Sequence, residues 1–199
     1  MDRAGSGAAR LERPGFGVPC YAAGPYEGAL RAVLLAYKHG GIHGFSRPLG
    51  ARLAEPLRSA CAAATRGPPV VVALPSRASR ERQRGYRHVD DLVRCALRSA
   101  GLRVPRMRVL RTLRGRTAQV GLDADARERN AARIALRRAA GSLHGLEIVL
   151  VDDIITTGAT MRAAASVIAR GGGTVVAIAA LCAVERFDAR GERGVETED

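Results

Sequence analysis

The chain is poor in several of the residues that usually announce a function. Its four cysteines, Cys20, Cys61, Cys95 and Cys182, form no C-x-x-C pair and have no second ligand nearby. That pattern argues against a zinc ribbon and a disulfide framework, and fits a reducing cytoplasm. His39, His43, His88 and His144 show no metal-ligand spacing, and the reading expects surface or loop histidines with no catalytic role. The longest apolar stretch, around "VVAIAALCAV", is far shorter than the roughly 18 residues of a membrane span, and the N-terminus has no apolar targeting core. A soluble, cytoplasmic protein without membrane attachment is therefore expected. Aromatic residues are only 4%, which leaves few platforms for stacking bases. Neither G-x-x-x-x-G-K-S/T nor a helix-opening G-x-G-x-x-G occurs, so P-loop and dinucleotide readings lack support.

What is present in excess is positive charge. The formal net charge is +13 over 199 residues, and residues 77–138 hold 18 arginines against 6 acidic residues, a net of +12. Such a segment suits anionic partners, either nucleic acid or a polyphosphate small molecule. Of the 32 basic residues only Lys38 is a lysine, which most simply reflects a codon bias toward arginine.

Length and pattern fit one α/β domain. Residues 1–17 lack periodicity and read as a disordered or irregular lead-in, residues 18–186 as the domain, and residues 187–199 as a polar tail. Leu30, Val33, Leu34 and Tyr37 recur at helical spacing, with a stop at Gly40-Gly41. A second helical region follows, interrupted or kinked near Pro56, then a buried strand "VVVALP". A helix over about 87–100 and a strand near "MRVLRT" precede the basic stretch "LRGRTAQVGLDADARERNAARI", which has little periodicity. The last third reads as strand "EIVLVDD", turn "IITTGA", helix "TMRAAASVIARGGG" and strand "TVVAIAALCAV", a right-handed βαβ unit in a parallel sheet.

The chemistry concentrates in that last third. In an open parallel sheet, ligands bind at the carboxyl ends of the strands, where Asp152, Asp153 and the following turn belong. Thr156, Thr157, Gly158, Ala159 and Thr160 are small or hydroxylic, so their backbone N–H groups can approach an anion closely at a helix start. Carboxylates beside a phosphate must face something else: a ribose diol, or a magnesium ion on that diol, meets the need. A strand-end "VDD" followed by an ordinary helix-capping turn is the bland alternative.

These residues resemble the phosphoribosyl pyrophosphate (PRPP) motif of type I phosphoribosyltransferases: Ile148 to Val151, Asp152-Asp153, and Thr156 to Thr160 match its apolar run, acidic pair and loop. Over about residues 20–184, "PYEGALRAVLLAYKHGG", "VVVALPSRASRERQRGYRHVDDLVRCAL" and "RTAQVGLDADARERNAARI" resemble successive blocks of the ComF family, the competence-associated phosphoribosyltransferase-like proteins. The resemblance implies an open, largely parallel sheet of about five strands flanked by helices, with a small N-terminal hood to which residues about 20–45 contribute. It implies PRPP or a ribose 5-phosphate ligand with magnesium as cofactor, Asp152 and Asp153 holding the ribose and the ion, and Thr156 to Thr160 holding the 5-phosphate.

The turn with Leu74, Pro75, Ser76 and Arg77, followed by Arg80, Arg82, Arg84 and Gly85, occupies the place of the pyrophosphate-side loop. Arg116, Thr117, Gln119, Arg127 and Asn130 match the pattern of the flexible loop that closes over PRPP. Lys38 and Gly41 stand at the K-x-x-G position, although a lysine at a helix C-terminus is also favoured by the helix dipole. Two departures stand out. The cysteine-rich segment of many members is absent, so no zinc is implied, and the frequent R-G-F-N-Q becomes Arg84-Gly85-Tyr86-Arg87-His88.

Two functions follow from the resemblance. One is transfer of phosphoribosyl to an unknown acceptor with release of pyrophosphate. The other is a non-catalytic competence or DNA-uptake accessory that binds single-stranded DNA through the arginine-rich segment and meets other competence proteins. The oligomeric state stays open, a homodimer being one arrangement.

Overall fold

A computed structural model describes residues 9–11, 16–39, 42–76, 85–113 and 134–184. Seven strands and four α-helices are assigned among them: β1 (Ala9–Leu11), β2 (Cys20–Ala22), α1 (Gly28–His39), α2 (Ser46–Cys61), β3 (Val70–Ala73), α3 (His88–Ala100), β4 (Leu110–Thr112), β5 (Ile134–Leu136), β6 (Glu147–Ile155), α4 (Ala159–Arg170) and β7 (Thr174–Ala183). Short 3-10 turns lie at His43–Phe45 and Arg138–Ala140.

The main sheet has the order β1-β2-β7-β6-β3. Strands β2, β7, β6 and β3 are parallel, and β1 adds an antiparallel edge. The fold is thus α/β with a largely parallel sheet of five strands. Three residues of the lead-in expected to be irregular, Ala9–Leu11, form that edge strand. The short pair β4-β5 is a separate antiparallel ribbon, and β5 has too few residues to show an alternation in the sequence.

Both faces of the sheet are covered, which explains why β6 and β7 read as unbroken apolar runs. On one face, Ile148 and Leu150 pack with Met161, Ala164 and Ile168 of α4 and with Val109, Leu110 and Ile134. On the other, Val149 and Val151 pack with Leu34 and Tyr37 of α1, Leu53 and Leu57 of α2, and Leu92 and Val93 of α3. Successive strand residues point to opposite faces, so β6 feeds both cores in alternation.

Two expectations are corrected here. Helix α2 runs through Pro56 without interruption. Proline removes one N–H donor, but the buried stripe Leu49, Leu53, Leu57 and Ala60 fixes the helix against its neighbours, and packing outweighs the local loss. Residues 20–45 do not stand apart as a hood in the described structure: Cys20–Ala22 is a strand of the main sheet, and Leu34 and Tyr37 are fully buried in its core. No described helix is long and apolar enough to cross a membrane.

Candidate functional site

The parallel arrangement brings the ends of β3 and β6 to the same edge of the sheet. Ala73 pairs with Val151, and the Leu74 N–H donates to the Val151 carbonyl at 2.8 Å, which sets the turn Leu74-Pro75-Ser76 beside Asp152 and Asp153. Strand β6 extends to Ile155, two residues beyond the aspartates, because Asp152, Ile154 and Ile155 continue the ladder with Ala180, Cys182 and Ala183. The acidic pair is therefore part of the strand rather than of the turn.

Adjacent positions in a strand face opposite ways, and the two carboxylates have different surroundings. Asp153 is buried, with Lys38 Nζ at 2.8 Å from Oδ1 and His88 Nε2 at 2.5 Å from Oδ2. Burial opposes its charge, but Lys38 and the His88 hydrogen bond prevail and hold the carboxyl well below the usual range. Asp152 is half-buried, and its Oδ1 accepts the Asp153 N–H at 2.8 Å. Burial, then the negative charge of Asp153, push its carboxyl up to about 8, and Lys38 offsets this only in part. Among the described residues no cation is paired with Asp152.

The histidine on Asp153 is the main surprise. His88 is the first residue of α3 and is buried, contrary to the expected surface or loop placement. Its Nδ1 lies 3.2 Å from Ser76 Oγ, while its carbonyl accepts the Tyr37 hydroxyl at 3.0 Å. The Tyr86 hydroxyl in turn donates to the Tyr37 carbonyl. Lys38 sits in the last turn of α1, so it stands both at a helix C-terminus and against Asp153.

Beyond β6 the chain turns at Gly158, which adopts the left-handed conformation at φ 75° and opens α4. Gly158 is buried under Phe16, whose ring would collide with any Cβ placed there. A side chain at 158 meets both a backbone and a packing penalty. Thr157 Oγ1 accepts the Ala159 N–H at 3.3 Å, while Thr156 and Thr160 are exposed at the rim. The first N–H groups of any helix lack intrahelical partners, so this turn presents donors and partial positive charge to an anion.

Arg162, in the first turn of α4, donates from Nη1 to the Thr157 carbonyl at 3.1 Å and lies over the Phe16 ring at 5.9 Å. A cation at a helix N-terminus opposes the dipole, and that mismatch is a signal the sequence carried for this residue.

Pro75 and Ser76 line a cavity of about 140 Å³ with Arg87 and Asp90 of the α3 start and Arg108, Arg111 and Arg137 from the β4-β5 ribbon. Arg108 Nε is 3.2 Å from Asp90 Oδ2, and Arg111 Nε donates to the Leu136 carbonyl at 3.2 Å. Of the expected loop residues, Arg77, Arg84, Arg116, Gln119 and Arg127 lie outside the described residues, as do Arg80, Arg82, Thr117 and Asn130. The structure thus brings together Lys38, Ser76, Asp153 and Asp152, with the Thr156–Thr160 turn one step along the strand.

The opposite end of β6 carries a different kind of buried acid. Glu147 accepts the Thr65 and Arg66 N–H groups at 2.9 and 2.8 Å and the Thr65 hydroxyl at 3.0 Å. The hydrogen bond from Arg66 leads in holding its carboxyl below the usual range, and the residue ties the α2-β3 connection to β6.

Comparison with solved structures gives likenesses of low identity. The allosteric regulatory enzyme of purine biosynthesis aligns at 21% identity and a TM-score of 0.41, over 69% of this chain and 25% of that one. A hypoxanthine phosphoribosyltransferase from Staphylococcus aureus aligns at 14% and 0.37, over 72% and 62%. That from Trypanosoma cruzi aligns at 15% and 0.37, over 79% and 71%. The chain therefore spans a quarter of the first of these proteins and less than two thirds of the second. No curated protein matches the chain. A family model does: residues 107–197 match the phosphoribosyl transferase domain. The matched segment contains β6, the acidic pair, the Gly158 turn and α4.

Proposed function

We propose that the protein binds PRPP, or a related ribose 5-phosphate ligand, with magnesium, and transfers the phosphoribosyl group to an acceptor with release of pyrophosphate. The observation that carries this reading is the direct passage from a strand-end acidic pair into a buried left-handed glycine turn that opens a helix. The turn suits the 5-phosphate, and the carboxylates suit the ribose hydroxyls.

The two aspartates divide the work. Asp153 is occupied by Lys38 and His88, so it holds the frame of the site. Asp152 lacks a paired cation among the described residues and has its charge disfavoured, so it is the carboxylate that gains from a diol or a metal. The donor set fits magnesium on those terms. Among the described residues no group of three or more His, Cys, Asp or Glu could cage a metal, and magnesium is usually held by one or two carboxylates together with ligand oxygens. Bound there with Asp152 and the ligand, magnesium would supply charge neutralisation for the pyrophosphate.

In the transfer, the acceptor's lone pair forms the new bond at the anomeric carbon, and the bond to pyrophosphate breaks with its electron pair leaving on oxygen. This chain's part is orientation and electrostatics. Asp152 holds the ribose, the Thr156–Thr160 turn anchors the 5-phosphate, and the arginines beside Pro75 and Ser76 favour the leaving pyrophosphate.

Calorimetric titration of Mg·PRPP into the wild type and Asp152→Ala tests the reading. Micromolar binding by the wild type that collapses in the variant is expected; undiminished binding by Asp152→Ala would sink the site assignment.

A second reading has its own observation. Arg87, Arg108, Arg111 and Arg137 converge on one cavity, which would equally suit a phosphodiester backbone. Single-stranded DNA binding with a steep salt dependence, unaffected by Asp152→Ala, would favour the accessory role.

A further inference from the structure

The hydrogen-bonded chain Lys38–Asp153–His88–Ser76 joins four elements: the end of α1, the end of β6, the start of α3 and the turn after β3. We propose that His88 is a positioning residue, which locks the Pro75-Ser76 turn to the acidic pair so that the pyrophosphate side and the ribose side of the site keep one spacing. The inference rests on the proposed PRPP reading for its ligand, and on geometry alone for the link.

An ionised carboxylate only accepts hydrogen bonds, and Asp153 has Lys38 Nζ at 2.8 Å from Oδ1 as its ion-pair partner. His88 must therefore donate from Nε2 to Asp153, which leaves Nδ1 facing the Ser76 hydroxyl. The ring cannot swing away, because its backbone carbonyl is held by Tyr37 and the side chain is buried. Ser76 is the last described residue of the turn after β3, and its hydroxyl makes the only side-chain hydrogen bond of Leu74-Pro75-Ser76 among the described residues. Without the imidazole the turn keeps, among the described residues, its backbone bond from Leu74 to Val151 and the buried Leu74 side chain. A histidine that merely fills the core would need a partner for each nitrogen; this one selects the two partners that flank the ligand.

Glutamine is the informative replacement. Its amide N–H can serve Asp153 and its carbonyl can accept the Ser76 hydroxyl, so it keeps both ends of the link without the ring. His88→Ala, His88→Gln, Ser76→Ala and the Ser76→Ala/His88→Ala double variant are titrated with Mg·PRPP, and each is checked for folding by thermal melting. We expect an affinity loss of about tenfold for His88→Ala. Recovery to within about threefold is expected for His88→Gln, and the double variant should lose no more than His88→Ala alone. A merely structural histidine would give additive losses and no recovery with glutamine, and either result overturns the proposal. If the wild type fails to bind Mg·PRPP, the functional reading falls, and the link is decided by the ring nitrogen spectrum. In that spectrum Ser76→Ala must shift the His88 Nδ1 resonance and leave an Nε2–H tautomer; an unmoved resonance overturns the inference.

Discussion

The two faces of β6 at its carboxyl end hold one aspartate each, and they behave in opposite ways. On the α1 and α3 side, Asp153 is buried, paired with Lys38 and His88, and kept ionised. Its neighbour Asp152 has no cation of its own among the described residues, and its charge is disfavoured. One peptide bond separates a carboxylate paired with two cationic or hydrogen-bonding side chains from one without such a pair among the described residues. The difference teaches that an acidic pair in a strand is a pair in sequence only; the pleat sends each member to a different environment.

The largest test of this contrast is Asp153→Ala. It strands Lys38 without its carboxylate in a buried position, and breaking such a pair costs about 3–5 kcal/mol. Urea unfolding at neutral pH should show that loss, whereas Asp152→Asn should unfold at the wild-type midpoint or above it. Equal losses from the two changes would erase the distinction.

Ligand affinity should reverse the order of importance. Asp152→Asn is expected to weaken Mg·PRPP binding by about 1.5–3 kcal/mol, the range for hydrogen bonds to charged groups, with the fold intact. Calorimetry on the refolded variant checks this, and an unchanged affinity would hand the ribose to some other group.

The pH dependence sharpens the same comparison. Because the Asp152 carboxyl is raised to about 8, its contribution to stability is present below its unfolded pKa and is lost as pH rises toward 8. Asp153 is depressed, so its contribution is present above the unfolded pKa and is lost as pH falls through the folded one. Stability measured from pH 4 to pH 9 should therefore decline between about pH 4 and pH 8 in the wild type and stay flatter in Asp152→Asn. A parallel decline in both would place the titration elsewhere.

The smallest expected effect lies in the adjoining turn. Gly158→Ala adds a Cβ in the left-handed region, about 1–2 kcal/mol, and also presses on Phe16. Its melting temperature should fall while Phe16→Ala in the same background restores part of the loss, because the smaller side chain relieves the contact.

Much of the fold was legible because its signals are local. The runs at 70–73, 147–155 and 174–183 are too apolar to be anything but buried strands, and the positive-φ glycine turn at 158 is marked by its small neighbours. Strand β5 was not legible, since three residues carry no period, and β1 gains its strand character only from pairing with β2. Pro56 misled for the opposite reason: a strong local breaker was overruled by the packing of α2. The strand placement of Asp152 and Asp153 and the turn at Gly158 could be read because they are contiguous. His88 could not, since its partners lie 12 and 65 positions away.

The sequence by itself determined that this protein would carry an acidic pair near a strand end, followed by a glycine turn that opens a helix, since strand period, small residues and hydroxyls are properties of neighbouring positions. Only the tertiary structure decided which aspartate is paired with Lys38 and His88. That choice depends on where α1 and α3 deliver Lys38 and His88, and long-range charge pairing in a low-dielectric interior leaves no trace in local order.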